Sequence, residues 1–217
     1  STVKNEKQQG QLDPPYGLTN EILGQTLYPA GHPYSWPVIG YVDDLDRAEL
    51  DDVKKFFLRW YGPNNAILNV AGDIDPKEVL KLTEKYFGPI KRGPEVEKQR
   101  PNVPRIPVDK YAKSIDEIFS PLTLMVFPTA PLYHRDEPAL NLLSEIMGGG
   151  KNSLLYKNFV DTEKATNAFI FNWSKELSGE FWLYVIAYNP RMEGALTLNE
   201  VEQLMKKTIE DFGKKGI

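Results

Sequence analysis

A proline-rich stretch near the middle of the chain limits most strongly how this sequence can fold. Residues 88–109 contain five prolines and several lysines and arginines, and their apolar residues follow neither helical nor strand spacing. Proline fixes one backbone torsion and lacks an N–H donor, so such a run breaks regular structure. We therefore interpret residues 88–109 as an extended connector between two subdomains, with a mobile linker as the open alternative.

Both sides of this connector show mixed helix and strand patterns. Leu50, Val53, Phe57 and Trp60 recur at the spacing of one helix face. The short apolar run 66–71 suits a buried strand. The other predicted helices lie in the polar residues 1–14, in 18–27, after the Asp75-Pro76 start signal, in 136–147, in 152–160 and after Thr197. The spacing of Thr197 and Glu200 indicates a capping box at the start of the last helix. The other predicted strands cover 122–127, 169–173 and 180–188.

Helices mixed with paired strands predict an α+β fold, with helices packed on one face of a largely antiparallel sheet. We expect residues 1–87 to form the tail of one subdomain with crossing helices and a strand. Residues 110–217 should form a second, more self-contained α+β subdomain, which could be truncated at its end. The start of the chain looks like an element already under way, which is what an internal fragment would show.

Composition excludes several kinds of function. The 217 residues include no cysteine, which rules out disulfides, thiolate nucleophiles and cysteine-based zinc sites. The net charge of −4 gives no reason to expect a nucleic-acid partner. No apolar run approaches the ~18 residues of a membrane span, and no signal peptide opens the chain. Cytoplasm and periplasm both stay open as locations.

Residues capable of catalysis are sparse and scattered. His32 and His134 are the two histidines, they lie about a hundred residues apart, and neither belongs to a His-x-x-Glu-His pattern. A zinc site needs three or four converging ligands, so we expect both to hydrogen-bond locally or to face water. The run 148–153, Gly-Gly-Gly-Lys-Asn-Ser, does not have the spacing of a phosphate-binding loop. It is better explained as the end of one helix and a cap, Asn152 or Ser153, of the next. We assign no catalytic residue.

Several segments, in a fixed order, together resemble a known family. They are 31–34 (Gly-His-Pro-Tyr), 37–40, 45–46, 50–57, 60–66 (Trp-Tyr-Gly-Pro-Asn-Asn-Ala), 70–74 (Val-Ala-Gly-Asp-Ile) and 136–156. This order is similar to that of the insulinase/pitrilysin-type zinc metallopeptidases, whose relatives include the mitochondrial processing peptidases. The resemblance covers nearly the whole chain, and it implies the metallopeptidase fold of the processing-peptidase type.

The resemblance also implies a metal ligand. In the family, two histidines of His-x-x-Glu-His hold zinc, the glutamate between them is the general base, and a later Val-x-x-Glu supplies the third ligand. Residues 3–6, Val-Lys-Asn-Glu, match that stretch, so Glu6 is the expected third ligand. His-x-x-Glu-His is absent here and would lie upstream of Ser1. We therefore expect the isolated chain to hold no zinc and to cleave no peptide.

The resemblance further suggests partners. Partner halves in the family often carry a substrate-binding arginine and, seven positions on, a tyrosine, and the matching residues here are Val160 and Asn167. The chain as a whole would then be the continuation of the zinc-bearing half, with residues 1–87 as the tail of its zinc-bearing subdomain. A second homologous half, in the same chain or another subunit, would supply those contacts to the peptide substrate. Trp173, Trp182 and Tyr184 could form core or a packing surface for that half.

Three functional hypotheses follow. The first is a fragment of a zinc-dependent endopeptidase, itself non-catalytic, that contributes structure and part of the substrate-chamber wall. The alternative is a non-catalytic homologue that acts as a structural or chaperoning subunit. The third is an unrelated α+β binding module. The residues that would bind substrate, and the peptide cleaved, are not identifiable from the sequence.

Overall fold

The computed structural model describes residues 2–216, apart from the side chain of Lys215. The helices are α1 (Thr2–Lys7), α2 (Thr19–Leu27), α3 (Val42–Arg47), α4 (Leu50–Trp60), α5 (Pro76–Phe87), α6 (Glu137–Gly148), α7 (Leu154–Phe159) and α8 (Leu198–Lys215). The strands are β1 (Leu122–Thr129), β2 (Ala165–Trp173) and β3 (Gly179–Ala187). A π-helical turn, Gln8–Leu12, continues α1. None of the described helices is long and apolar enough to cross a membrane.

The three strands form one antiparallel sheet in the order β1-β3-β2. In its register, Tyr184 in the central strand lies opposite Leu124 on one side and Phe169 on the other. The register shifts at a bulge between Ala165 and Asn167. The predicted α+β fold with an antiparallel sheet is confirmed, although β2 begins earlier than the predicted strand 169–173.

The hydrophobic core lies on one face of this sheet. Side chains alternate between the two faces of a strand, so Leu183 and Val185 share a face while Glu180, Trp182 and Tyr184 share the other. The first face packs against the last three helices. The core side chains are Met147 of α6, Leu155 and Phe159 of α7, Ala165, Ala168 and Ile170 of β2, Phe181, Leu183, Val185 and Ala187 of β3, and Val201 and Met205 of α8.

Helix α6 ends in close contact with the sheet. A Cβ atom added to Gly148 would lie 2.1 Å from the backbone nitrogen of Ile170 in β2. Gly150 follows with a φ of +75°, a conformation that favours glycine. The hydroxyl of Ser153 then accepts a hydrogen bond from the N–H of Tyr156 at the start of α7. The glycine run therefore ends one helix and leads to the cap of the next, as predicted.

The chain divides into two compact units. One contains residues 2–39 together with 101–216, and therefore includes the sheet. The other is Gly40–Arg100, which contains α3, α4 and α5. The predicted subdomain boundaries at 87 and 110 stay predictions. The observed grouping adds that residues 2–39 pack with residues 101–216.

The unit Gly40–Arg100 differs from the sequence-based expectation in one element. Residues 66–71, predicted as a buried strand, have no strand partner within the described chain, and Ile67 is 88% exposed. The predicted strand is therefore not formed or buried within the described chain, because a strand exists only when its backbone pairs with another. The connector 88–109 has no helix or strand, as predicted. Its start is held by Asn64, whose side chain bonds to Gly93 and Pro94.

Candidate functional site

The predicted zinc ligand lies on a short, exposed helix at the start of the described chain. Glu6 is in α1 and is exposed to solvent. Its neighbour Lys7 is buried, at 4% exposure, and donates a hydrogen bond from Nζ to Oε2 of Glu21 in α2 at 3.0 Å. A lysine is seldom buried unless it pairs with an acidic group. This ion pair therefore ties α1 to α2.

The segment between α1 and α2 is anchored to the start of the sheet. Tyr16, at a φ of +61°, donates its backbone N–H to Asp116 at 3.2 Å and its phenol O–H to the Ser120 carbonyl. The Thr19 hydroxyl donates to the Tyr16 carbonyl at 2.6 Å. A positive φ is uncommon for a bulky residue and is maintained only where surrounding contacts support it.

Metal ligands do not converge within the described residues. No group of three or more histidine, cysteine, aspartate or glutamate side chains in this part of the chain could hold a metal ion. A protein zinc site uses at least three ligands, so Glu6 by itself supplies one of the set that zinc requires. An exposed carboxylate is chemically suited to that single role. Glu6 as a zinc ligand therefore stays a prediction.

Both histidines form local hydrogen bonds, as predicted. His134 is 42% exposed at the side chain, and its Nδ1 accepts from the N–H of Asp136 at 3.2 Å, just before α6. His32 is buried, and its Nδ1 accepts from the N–H of Tyr34 at 3.1 Å. Its ring stacks on Tyr28 with 4.6 Å between ring centroids.

A buried polar cluster that the sequence analysis missed joins the loop after α2 to the sheet. At its centre is Glu180 of β3, which is 2% exposed. Its carboxylate accepts from the Tyr28 hydroxyl at 2.6 Å, from Nε1 of Trp182 at 3.0 Å, and from Nζ of Lys175. Three donors satisfy a charge that would otherwise be costly to bury. Burial and the bond to Glu180 together raise the pKa of the Tyr28 phenol.

Aromatic rings complete this cluster around Lys175. Its ammonium lies 4.4 Å from the ring centroid of Tyr34, 5.0 Å from that of Trp173 and 5.3 Å from that of Tyr28. These are cation–π distances. The Tyr34 hydroxyl also accepts the backbone N–H of Leu177 at 3.1 Å. The bonds from Tyr28 and Lys175 to Glu180, and from Leu177 to Tyr34, link the loop after α2 to β3 and the residues before it. We find no chemistry in it that acts on a substrate.

Val160 and Asn167 are the residues at the positions where partner halves of the family often carry a substrate-binding arginine and tyrosine. Both lie near β2. Val160 is the half-buried residue that ends α7, and Asn167 is exposed beside the β2 bulge. Neither offers a guanidinium or a phenol. Trp182 is buried and Tyr184 half-buried on the sheet face opposite the core, where they stack with Phe171 and Phe169 at 5.4 and 4.6 Å.

Comparison with known proteins identifies the family. A family profile described as "Peptidase M16 inactive domain" matches residues 47–217. The "Zinc protease PqqE" of Helicobacter pylori is 30% identical over 209 residues, which cover 94% of this chain and 47% of that protein. The crystal structure of a protease from Helicobacter pylori superposes with a TM-score of 0.83 at 27% identity, covering 100% of this chain and 52% of that one.

A second solved structure, a peptidase M16 inactive domain from Pseudomonas fluorescens, superposes with a TM-score of 0.75 at 17% identity and covers 100% of this chain and 52% of its own. That likeness shows the fold. The chain belongs to the peptidase M16 inactive-domain family, and the resemblance to insulinase/pitrilysin-type peptidases is confirmed. The chain spans about half the length of the curated relatives that it matches.

Proposed function

We propose that this chain is a non-catalytic part of a zinc-dependent endopeptidase, to which it contributes structure and part of the wall of the substrate chamber. The match of residues 47–217 to the inactive-domain family carries this proposal. It is supported by the similarity, over nearly the whole chain, to about half of a protein named a zinc protease. In this proposal, the other half of the protein completes the peptidase and binds the peptide substrate.

In the proposed peptidase, Glu6 supplies the third zinc ligand. Two histidines and the general-base glutamate would come from a His-x-x-Glu-His segment upstream. Zinc bound by that set would polarise the scissile carbonyl and activate the attacking water. The exposure of Glu6 on α1 supports the proposal, because its carboxylate is free to meet ligands from outside the described residues.

The exposed apolar side chains of the unit Gly40–Arg100 support the proposal that another segment packs on it. One helix of this unit, α4, exposes its large apolar residues, with Leu50 at 69%, Phe56 at 58% and Phe57 at 57%. The extended run 66–71 adds Ile67 at 88% and Val70 at 48%. Large exposed apolar patches usually mark an interface, and this unit is rich in exposed apolar side chains. We propose that the upstream zinc-bearing segment covers it and supplies the strand partner for residues 66–71.

Metal analysis of two proteins tests the proposal. The 217-residue chain alone should retain no stoichiometric zinc after dialysis and should not hydrolyse peptides, since one carboxylate is too few ligands. The full-length protein should retain about one zinc per chain and hydrolyse unstructured peptides, and Glu6→Gln should remove both properties. A full-length protein that holds no zinc would instead support the non-catalytic structural or chaperoning homologue. Zinc held by the isolated chain would contradict both.

A further inference from the structure

The backbone changes from α-helix to π-helix immediately after the proposed zinc ligand. The π-helical turn Gln8–Leu12 follows α1 directly, and the N–H of Asp13 donates to the Gln8 carbonyl, five residues back, at 2.8 Å. Such turns are rare and occur frequently at functional sites. Lys7 is the residue at which α1 ends and this turn begins.

Lys7 and Glu21 form the buried contact between α1 and α2. Their side chains are 5% and 18% exposed, and the Nζ–Oε2 distance is 3.0 Å. Removal of either member would take away this contact and leave the other charge less compensated at a partly buried position. A contact so placed limits how α1 can turn about its own axis.

The Lys7–Glu21 contact also sets the direction in which the Glu6 side chain points. Successive side chains of an α-helix point about 100° apart around the axis. Because Lys7 faces α2, the preceding residue, Glu6, points to a different side of α1, where it is exposed. A rotation of α1 that broke the Lys7–Glu21 pair would turn the Glu6 carboxylate by the same angle.

We propose that Lys7 and Glu21 are positioning residues for the Glu6 carboxylate. Their buried ion pair holds α1 at the rotation that presents Glu6 to the zinc, while neither residue touches the metal. The inference rests on the proposed function, in which Glu6 is a zinc ligand. Groups outside the ligand set that orient a metal ligand typically change metal affinity by about 10- to 100-fold when removed.

Zinc affinity of the full-length protein tests this inference. We would measure it by chelator competition at a temperature where every zinc-free variant is folded, as checked by its melting temperature. Lys7→Met and Glu21→Gln should each weaken zinc binding by about 10- to 100-fold. Lys7→Arg and the reversed pair Lys7→Glu/Glu21→Lys keep opposite charges and should retain most of the affinity. Lys214→Met is the matched control, since Lys214 pairs with Glu210 on the exposed surface of α8.

The outcomes separate this inference from the function on which it rests. If Glu6→Gln binds zinc as tightly as the parent, the assignment of Glu6 as a zinc ligand is wrong, and the positioning role with it. If Glu6→Gln loses zinc while Lys7→Met and Glu21→Gln bind normally, the positioning role alone is overturned. If Lys7→Met does not fold, the reversed pair decides: a native melting temperature with lost zinc affinity would overturn the inference, and retained affinity would support it.

Discussion

His32 is buried near the Lys175 ammonium, which gives one residue a defined effect on stability. Its Nδ1 accepts from the Tyr34 N–H, so the folded chain holds the neutral ring. Burial and the Lys175 ammonium lower its pKa below the ordinary 6.5. The titratable groups around the ring are Tyr28, Tyr34 and Lys175, with Glu180 bonded to both Tyr28 and Lys175. Protonation of His32 would place a second cation beside Lys175.

We therefore predict that acidification destabilises the chain through His32. Because the folded pKa is lowered, the unfolded chain binds the proton first, and stability falls as pH drops below about 6.5. Between pH 7.5 and 5.5 the free energy of unfolding should fall by up to about 1.4 kcal/mol more in the parent than in His32→Asn. Asparagine is chosen because its amide oxygen can accept the same hydrogen bond from the Tyr34 N–H. Urea unfolding at both pH values measures this difference. Equal losses in parent and variant would show that His32 does not titrate in this way.

At the scale of elements, the end of α6 depends on the absence of a side chain at Gly148. We predict that Gly148→Ala lowers the free energy of unfolding by about 1–3 kcal/mol, because the new Cβ would overlap the Ile170 backbone in β2. Gly213→Ala is the matched control, since a Cβ there meets nothing within 4 Å in α8. Alanine should stabilise that helix by up to about 1 kcal/mol. Equal effects in thermal unfolding would refute the close α6–β2 contact.

At the scale of the whole molecule, residues on both sides of the connector belong to one unit. Trypsin should cut first in 88–109, where Lys98 and Arg105 are exposed and without regular structure. We predict that the two fragments still elute together in native gel filtration, because Tyr28 and Tyr34 remain bonded to the segment 175–180.

Two changes to this digestion check the explanation. The fragments should separate in 6 M urea, chosen as about the concentration that unfolds an ordinary domain. They should also separate more readily when Tyr28→Phe removes the hydroxyl that donates to Glu180. Native fragments that elute apart would argue against the packing of residues 2–39 with 101–216.

Hydrogen bonds between residues close in the sequence determined where several helices begin. Thr197 and Glu200 form the predicted capping box, with the Thr197 N–H donating to the Glu200 carboxylate at 2.8 Å. Asp75 caps α5 as predicted, through the N–H of Lys77 at 2.8 Å. Such contacts join residues within one helical turn, so their signal lies in the sequence itself. The ordered family motifs likewise predicted the fold and the family, and they supply the single candidate ligand, Glu6.

Only the tertiary structure revealed the buried contacts between residues that are distant in the sequence. Lys7 and Glu21 are 14 residues apart, and Tyr28 and Glu180 are 152 apart. Each looks like an ordinary surface residue in the sequence, because burial and pairing across such distances leave no periodic signal. For the same reason, the sequence could not show that residues 66–71 have no strand partner in the described chain. Apolar spacing can indicate a strand, but a strand forms only where another backbone supplies its hydrogen bonds.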